Sequence, residues 1–176
     1  RRYCGAGRGD GHVVSRRLPF VHPASLIATG LGVGHIPIAS GSWASLAALP
    51  VGWIIAENFG PLWLAFAAVA ALLAGLWASA LYCRASGEKD PSRVVIDEIA
   101  GQWLALVPIV TPDPVSYAIA FFVFRLFDIV KPWPANWCDR SLPGAPGVML
   151  DDIVAGLYAG AVVYGILLLN VEYGFY

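Results

Sequence analysis

The 176-residue chain is strongly apolar, with 58% hydrophobic residues, 13% charged residues and a mean hydropathy of +0.67. This composition excludes an ordinary soluble domain, and the length suits one membrane domain. A net charge of −1 without a basic, aromatic-rich patch excludes a nucleic-acid partner. Three cysteines without CxxC spacing indicate neither a disulfide framework nor a zinc site.

The N-terminal part of the chain predicts two elements. Residues 1–22 carry five arginines and predict a basic cytoplasmic segment. The glycine-rich stretch ATGLGVGHIPIASG that follows predicts an interfacial or re-entrant segment, although a flexible connection would have the same glycine spacing. Glycine-rich backbone leading into a helix N-terminus binds phosphate through its N–H groups. His35 and Ser42 are therefore candidate substrate-binding residues, and Ser42 is also the predicted N-cap.

Apolar stretches separated by turn signals predict about five membrane segments. They cover residues 42–56, 61–82, 96–110, 115–130 and 153–169, and the first and third are short for a crossing. The predicted fold class is all-α, a polytopic membrane helical bundle. Its domain covers residues 23–170, followed by a short C-terminal tail at 171–176.

The basic residues give the orientation of this topology. All eleven precede the first segment, follow the second, or lie at the end of the fourth or beyond it. They therefore share one face, which the positive-inside rule makes cytoplasmic.

Five carboxylates stand at the cytoplasmic ends of three segments: Asp97, Glu98, Asp128, Asp151 and Asp152. Ionised acids at the edge of hydrocarbon are costly unless they are paired, metal-bound or facing a wet cavity. Only Arg125 and Lys131 lie nearby, so the excess of negative charge indicates a divalent cation. Hard carboxylate oxygens suit Mg²⁺, and calcium or manganese would satisfy the same pattern.

Each acid also has a purely structural interpretation. Arg125 and Asp128 are i,i+3 neighbours on a helix and could form an internal salt bridge. A carboxylate at the start of the last segment could cap a helix, although two adjacent acids there favour metal ligation. The acids at 97 and 98 could simply begin a solvated helix.

Four segments together resemble the motifs of the phosphatidylglycerophosphatase A family, in the same order and at similar intervals: HIPIASGSWASL, DPSRVVIDEIAGQWLAL, FRLFDIVKPWP and GVMLDDIVAG. The resemblance covers residues 23–168. It implies a Mg²⁺-dependent enzyme of the bacterial inner membrane, active at the cytoplasmic face. Such an enzyme hydrolyses phosphatidylglycerophosphate to phosphatidylglycerol and inorganic phosphate in phospholipid biosynthesis. The chain departs from the family at Ser40 and Ser42, where proline and threonine are common, and keeps the family's glycine at Gly41.

Carried over onto this chain, the family's acidic motif residues fall on the five carboxylates and its basic ones on Arg125 and Lys131. The candidate catalytic residues are Asp97, Glu98, Asp128 and Asp152. The candidate metal ligands are Asp97, Glu98, Asp151 and Asp152. The candidate substrate-binding residues are Arg125, Lys131, Ser42 and His35. Either Glu98 or Asp128 would act as general base for a water, or an aspartate would attack phosphorus and form a phosphoenzyme.

Other functions remain open from the sequence. A CDP-alcohol phosphotransferase also gathers aspartates at the cytoplasmic membrane face, and a transporter could bind a cation through the same carboxylates. Gly156 and Gly160 form a GxxxG pattern that packs helices within one chain or between two copies, which leaves a homo-oligomer open.

Overall fold

Every regular element in the part of the chain that the structure describes is a helix. A computed structural model describes residues 18–86, 93–142 and 144–174. Its α-helices are α1 (Pro23–Ala28), α2 (Ser40–Phe59), α3 (Pro61–Ser86), α4 (Ile96–Leu106), α5 (Pro114–Val130), α6 (Ala135–Ser141) and α7 (Ala145–Tyr173). A 3₁₀ turn covers Val33–His35. The predicted all-α class is confirmed, and α6 is an additional helix that the sequence analysis did not predict.

Among the described helices, two are long and apolar enough to cross a membrane, α3 and α7. The prediction of about five membrane segments is therefore corrected. α4 has 11 residues and is about 16 Å long, whereas a bilayer core is about 30 Å thick. α5 has 17 residues. α2 has 20 residues and contains a proline, Pro50, in its interior. The apolar run at 96–110 looked longer because it included four residues beyond the end of α4.

One end of the bundle collects the termini of five helices. α2, α4 and α7 begin there, and α3 and α5 end there, because the chain alternates in direction through the turns at Gly60 and at 107–113. Among the described residues, Arg84, Arg93, Lys131 and Arg140 lie at or beyond these helix termini. We call this end the acidic end, since all five predicted carboxylates lie at it.

The closest helix contact joins α4 to α7 through glycines. A Cβ added at Gly101 would lie 2.6 Å from the Asp152 carbonyl oxygen, and one at Gly156 would lie within 3.0 Å of the Gly101 backbone. Gly160 continues this face beside Leu104. The GxxxG pattern is thus used within the chain, where small residues let two backbones approach.

Large apolar side chains cover the outside of the bundle. Leu62, Trp63, Phe66 and Leu73 follow one another along α3, and each is more than half exposed. Only 28% of the most apolar stretch of α3 and 33% of that of α7 is buried. Soluble monomers rarely expose apolar surface this continuous, so this surface fits a lipid environment.

The segment before α2 packs against the bundle at the acidic end. Ala24 and Ala28 of α1 are fully buried, and the Val95 N–H donates to the Ala28 carbonyl oxygen at 2.8 Å. The prediction that Ser42 is the N-cap of α2 was wrong: the helix begins at Ser40, after Ala39 in the left-handed conformation. The predicted basic segment falls almost wholly outside the described residues, and α7 extends to Tyr173, into the predicted tail.

Replacing Gly156 with valine tests the contact between α4 and α7. We expect Gly156→Val to lower the free energy of unfolding by about 1–3 kcal/mol, because the added side chain collides with the Gly101 backbone. Thermal unfolding in detergent measures this loss. Gly165→Ala is the matched control, since a Cβ at Gly165 meets nothing within 4 Å. A Gly156→Val protein as stable as the wild type would contradict the described packing.

Candidate functional site

A cavity of about 210 Å³ at the acidic end brings the predicted carboxylates together. Its lining residues come from four helices and from the residues next to their ends: Ser40, Val94, Asp97, Glu98, Asp128, Lys131, Val148, Asp151 and Asp152. All five acids of the sequence prediction are among them. Segments that are distant in the chain therefore deliver their side chains to one place.

Three of the carboxylates form a compact group at the start of α4 and the second turn of α7. Oxygen atoms of Asp97, Glu98 and Asp152 lie within 4.8 Å of one another. Asp97 and Asp152 are buried, and Glu98 is half-buried. The glycine contact between the two helices lies one turn deeper, at Gly101 and Gly156, and it is what holds their acidic turns side by side. We call these three residues the carboxylate triad.

The triad concentrates negative charge away from water. Burial raises the pKa of Asp97 well above its ordinary value, and the neighbouring Glu98 charge raises it further. Burial likewise raises the pKa of Glu98, and the charge of Asp128 adds to this effect. A bound cation would relieve this repulsion and keep the acids ionised.

Lys131 and Asp151 form an ion pair at one side of the cavity. Lys131 is the C-cap of α5 in the left-handed conformation, with φ of 47°, which turns its side chain toward α7. Burial lowers the pKa of Lys131, but the hydrogen bond and charge of Asp151 outweigh it and raise the pKa above its ordinary value. The lysine therefore stays charged, and Asp151 lies outside the triad although it was predicted as a ligand.

Arg125 and Asp128 form the salt bridge that was one of the two interpretations of their spacing. Arg125 Nη1 lies 2.7 Å from Asp128 Oδ2, and it also donates to Ser45 Oγ at 3.4 Å. Asp128 lines the cavity, whereas Arg125 is not among the lining residues. The arginine thus holds Asp128 and α2 together beneath the cavity.

The start of α2 contributes Ser40 to the cavity rather than Ser42. Sequence reasoning missed Ser40 as a site residue, although the departure from the family motif at that position pointed to it. A Cβ at Gly41 would lie within 3.0 Å of Glu98 Oε1, so this turn of α2 rests directly on the triad. His35 is exposed and its ring packs against Phe20 at 5.3 Å, so the structure does not bring it to the lining.

The donor set of the triad fits a hard divalent cation. Its potential ligand atoms are all carboxylate oxygens, which Mg²⁺ prefers, and Mg²⁺ normally keeps waters and substrate phosphate in its remaining positions. Glu98 Oε2 is buried and has no hydrogen-bond partner in the described ranges. Lys131 adds a positive charge beside the triad, so the cavity combines a place for a cation with a group that attracts phosphate.

Comparison with known proteins gives one family. The family profile described as Phosphatidylglycerophosphatase A matches residues 26–167. A Phosphatidylglycerophosphatase A of Escherichia coli K12 is 36% identical over 156 residues, covering 86% of this chain and 88% of that protein. One of Haemophilus influenzae is 34% identical over 152 residues, covering 86% and 93%. A Putative phosphatidylinositol-3-phosphatase of Bacteroides thetaiotaomicron is 39% identical over 141 residues, covering 76% and 87%. No solved structure matches the chain.

Neutralising one acid of the triad tests whether it is a cation site. We expect Asp97→Asn and Asp152→Asn to stabilise the protein in chelator by about 0.5–2 kcal/mol, because each removes a repelling buried charge. Added Mg²⁺ should raise the Tm of the wild type and leave the Tm of both variants unchanged. Glu172→Gln, which alters an exposed carboxylate near the C-terminal end of α7, is the control and should respond to Mg²⁺ like the wild type. Equal Mg²⁺ responses in all four proteins would exclude the triad as the ligand set.

Proposed function

The chain belongs to the phosphatidylglycerophosphatase A family, and we propose that it hydrolyses the terminal phosphate of phosphatidylglycerophosphate, giving phosphatidylglycerol and inorganic phosphate. The observation that carries this proposal is the carboxylate triad beside Lys131 in one cavity. An anionic monoester needs positive charge at the site, and the acids alone would repel it. A phosphatase built from acids therefore requires a cation.

We propose Mg²⁺ as that cation, held by Asp97, Glu98 and Asp152. When bound, it would supply Lewis-acid stabilisation of the phosphoryl oxygens and lower the pKa of a water ligand. Asp151 was a predicted ligand as well, and its ion pair with Lys131 supports a role in positioning the lysine instead. The donor chemistry of the triad supports this choice of metal.

Two basic side chains supply fixed positive charge in this proposal. Lys131 lines the cavity with its ammonium group held by Asp151, so it is placed to bind a phosphate oxygen and stabilise the charge that develops during transfer. Arg125 is paired with Asp128 and Ser45, so in this proposal it acts on the substrate through Asp128.

Two routes to hydrolysis fit the arrangement. In the first, Asp128 or Glu98 accepts a proton from the water that attacks phosphorus, and the P–O bond to the lipid headgroup breaks to release the lipid alcohol. In the second, a carboxylate attacks phosphorus and displaces the lipid alcohol, and water then cleaves the acyl phosphate to return the carboxylate and release inorganic phosphate. A rapid quench during a single turnover of substrate labelled with ³²P in its terminal phosphate distinguishes them, because only the covalent route leaves label on the protein at short times.

One relative favours a second substrate. The Bacteroides thetaiotaomicron protein is described as a Putative phosphatidylinositol-3-phosphatase, at a higher identity than the two described as Phosphatidylglycerophosphatase A. Both substrates present a phosphate monoester on a lipid headgroup, so the same site chemistry would serve either. Comparing the two lipids as substrates would therefore identify the preferred headgroup, since the reaction is the same for both.

We further propose that the protein lies in the bacterial inner membrane with the acidic end at the cytoplasmic face, where it acts in phospholipid biosynthesis. The apolar α3 and α7 support insertion in the bilayer. The basic residues at helix termini of the acidic end support its cytoplasmic orientation, by the positive-inside rule. A lipid substrate would then meet the cavity at the height of its headgroup.

Phosphate release from phosphatidylglycerophosphate in detergent tests the activity. We expect Mg²⁺-dependent release that chelator abolishes, and a loss of at least about 100-fold in kcat/KM for Asp97→Asn and Asp152→Asn. Glu172→Gln should keep wild-type activity. Phosphatidylinositol 3-phosphate is the second substrate in the same assay. Faster release from it would reassign the headgroup, and no release from either lipid by folded wild-type protein would refute the phosphatase.

Gly41→Ala tests whether activity depends on the position of the Glu98 carboxylate. The added methyl group would overlap Glu98 Oε1, so we expect the carboxylate to move away from the triad and kcat/KM to fall by roughly ten-fold or more. The unfolding temperature should change little, because alanine is the better helix former and offsets the strain. Steady-state kinetics and thermal unfolding are measured together, with Gly165→Ala as the control. Full activity in Gly41→Ala would show that Glu98 needs no fixed position.

A further inference from the structure

A fully buried amide lies one turn deeper than Glu98. Gln102 follows Glu98 by four residues on α4, so both side chains lie on the same face of the helix. The Gln102 side chain is 0% exposed, and its Nε2 and Oε1 atoms have no hydrogen-bond partner in the described ranges of the chain. Buried polar atoms in folded proteins almost always have a partner, so this amide calls for an explanation.

The register between α2 and α4 shows what Gln102 faces. Gly41 lies against Glu98, the Trp103 indole N–H donates to the Ala48 carbonyl oxygen at 3.0 Å, and Gly52 contacts Leu106. The two helices therefore run side by side in the same direction. One turn beyond Gly41 and one turn beyond Glu98, this register places Ser45 opposite Gln102.

Ser45 joins the arginine of α5 to the same layer. It is 0% exposed, its hydroxyl donates to the Gly41 carbonyl oxygen at 3.1 Å, and it accepts from Arg125 Nη1 at 3.4 Å. Arg125 Nε is also buried without a partner in the residues described, as is Glu98 Oε2. Four unsatisfied polar atoms thus belong to Glu98 of the triad and to Gln102 and Arg125 beneath it.

We propose that Gln102, Ser45 and Arg125 form a hydrated polar layer that binds internal water and, through it, holds the Glu98 carboxylate in the cavity. The chemistry supports water as the ligand: Gln102 offers a donor and an acceptor, Arg125 Nε offers a donor, and Glu98 Oε2 offers an acceptor. A water commonly makes about three such bonds at a buried polar site. Gln102 is in this view a positioning residue, since it touches no reacting atom.

Gln102→Met separates a hydrated layer from an amide that is merely buried. Methionine is apolar and close in length, so it would raise the Tm if it only removed an unsatisfied amide. In the hydrated layer it leaves Arg125 and Glu98 without their bridging water, so we expect a lower Tm. We also expect kcat to fall by roughly ten-fold while KM stays within about two-fold, because Glu98 loses its orientation and Lys131 still binds the substrate.

Tyr117→Phe is the matched control. The Tyr117 hydroxyl is another buried atom without a described partner, but it lies near the opposite end of α5, outside the cavity lining. We expect unchanged kcat and a Tm that does not fall. If Gln102→Met does not fold, Ser45→Ala removes the link between Arg125 and Gly41 with a smaller change, and it should lower kcat at constant KM.

The outcomes decide each part of the inference. A higher Tm for Gln102→Met would overturn the hydrated layer, whatever happens to kcat. A lower Tm with unchanged kcat would overturn the positioning of Glu98. The catalytic part rests on the proposed phosphatase activity, whereas the Tm comparison does not. Wild-type protein that cleaves neither lipid would thus end the proposed function and leave the layer testable by Tm alone.

Discussion

Backbone contact between α4 and α7 sets the distance between acids that would otherwise repel one another. Gly101 and Gly156 let the backbones of the two helices touch. This contact holds the adjacent turns, which carry Asp97 and Asp152, side by side. Separation by a single side chain would widen the triad beyond the reach of one cation. The glycine face is therefore both the main packing feature of the bundle and the device that defines its candidate site.

The same contact lowers the stability of the protein, because it holds like charges close together. Three carboxylates are held together in a region largely removed from water, and one lysine and one arginine are each paired with a separate acid nearby. Positive and negative charges are thus paired beside and beneath the cavity but not at the triad itself. An arrangement that lowers stability in the absence of a ligand is typical of a binding or catalytic centre. The proposed polar layer one turn below the triad has the same property, since buried polar atoms of Gln102 and Arg125 also lack partners within the described part of the chain.

Much of this arrangement could be predicted from the sequence, because charge in an apolar chain is informative. Because the acids stand at the ends of apolar segments, the sequence predicted that they lie at the same end of the bundle. The i,i+3 spacing of Arg125 and Asp128 made a salt bridge one of two interpretations, and the pair forms it. The pair between Lys131 and Asp151 could not be predicted, since it depends on a left-handed turn at a residue that is not glycine. The N-cap of α2 was misplaced by three residues, at Ser42 instead of Ala39, because an alanine side chain carries no capping signal. Helix length was overestimated where apolar residues continue past a helix end, as they do after α4.

Lys131 also has a consequence for efforts to make this protein more robust. Position 131 ends a helix in a left-handed conformation, where glycine or asparagine is the better residue for the backbone. A glycine chosen for the backbone alone would nevertheless leave the buried Asp151 carboxylate without its ion-pair partner and remove an ammonium group from the cavity lining. Directed evolution for tolerance to heat or detergent should hold this codon fixed.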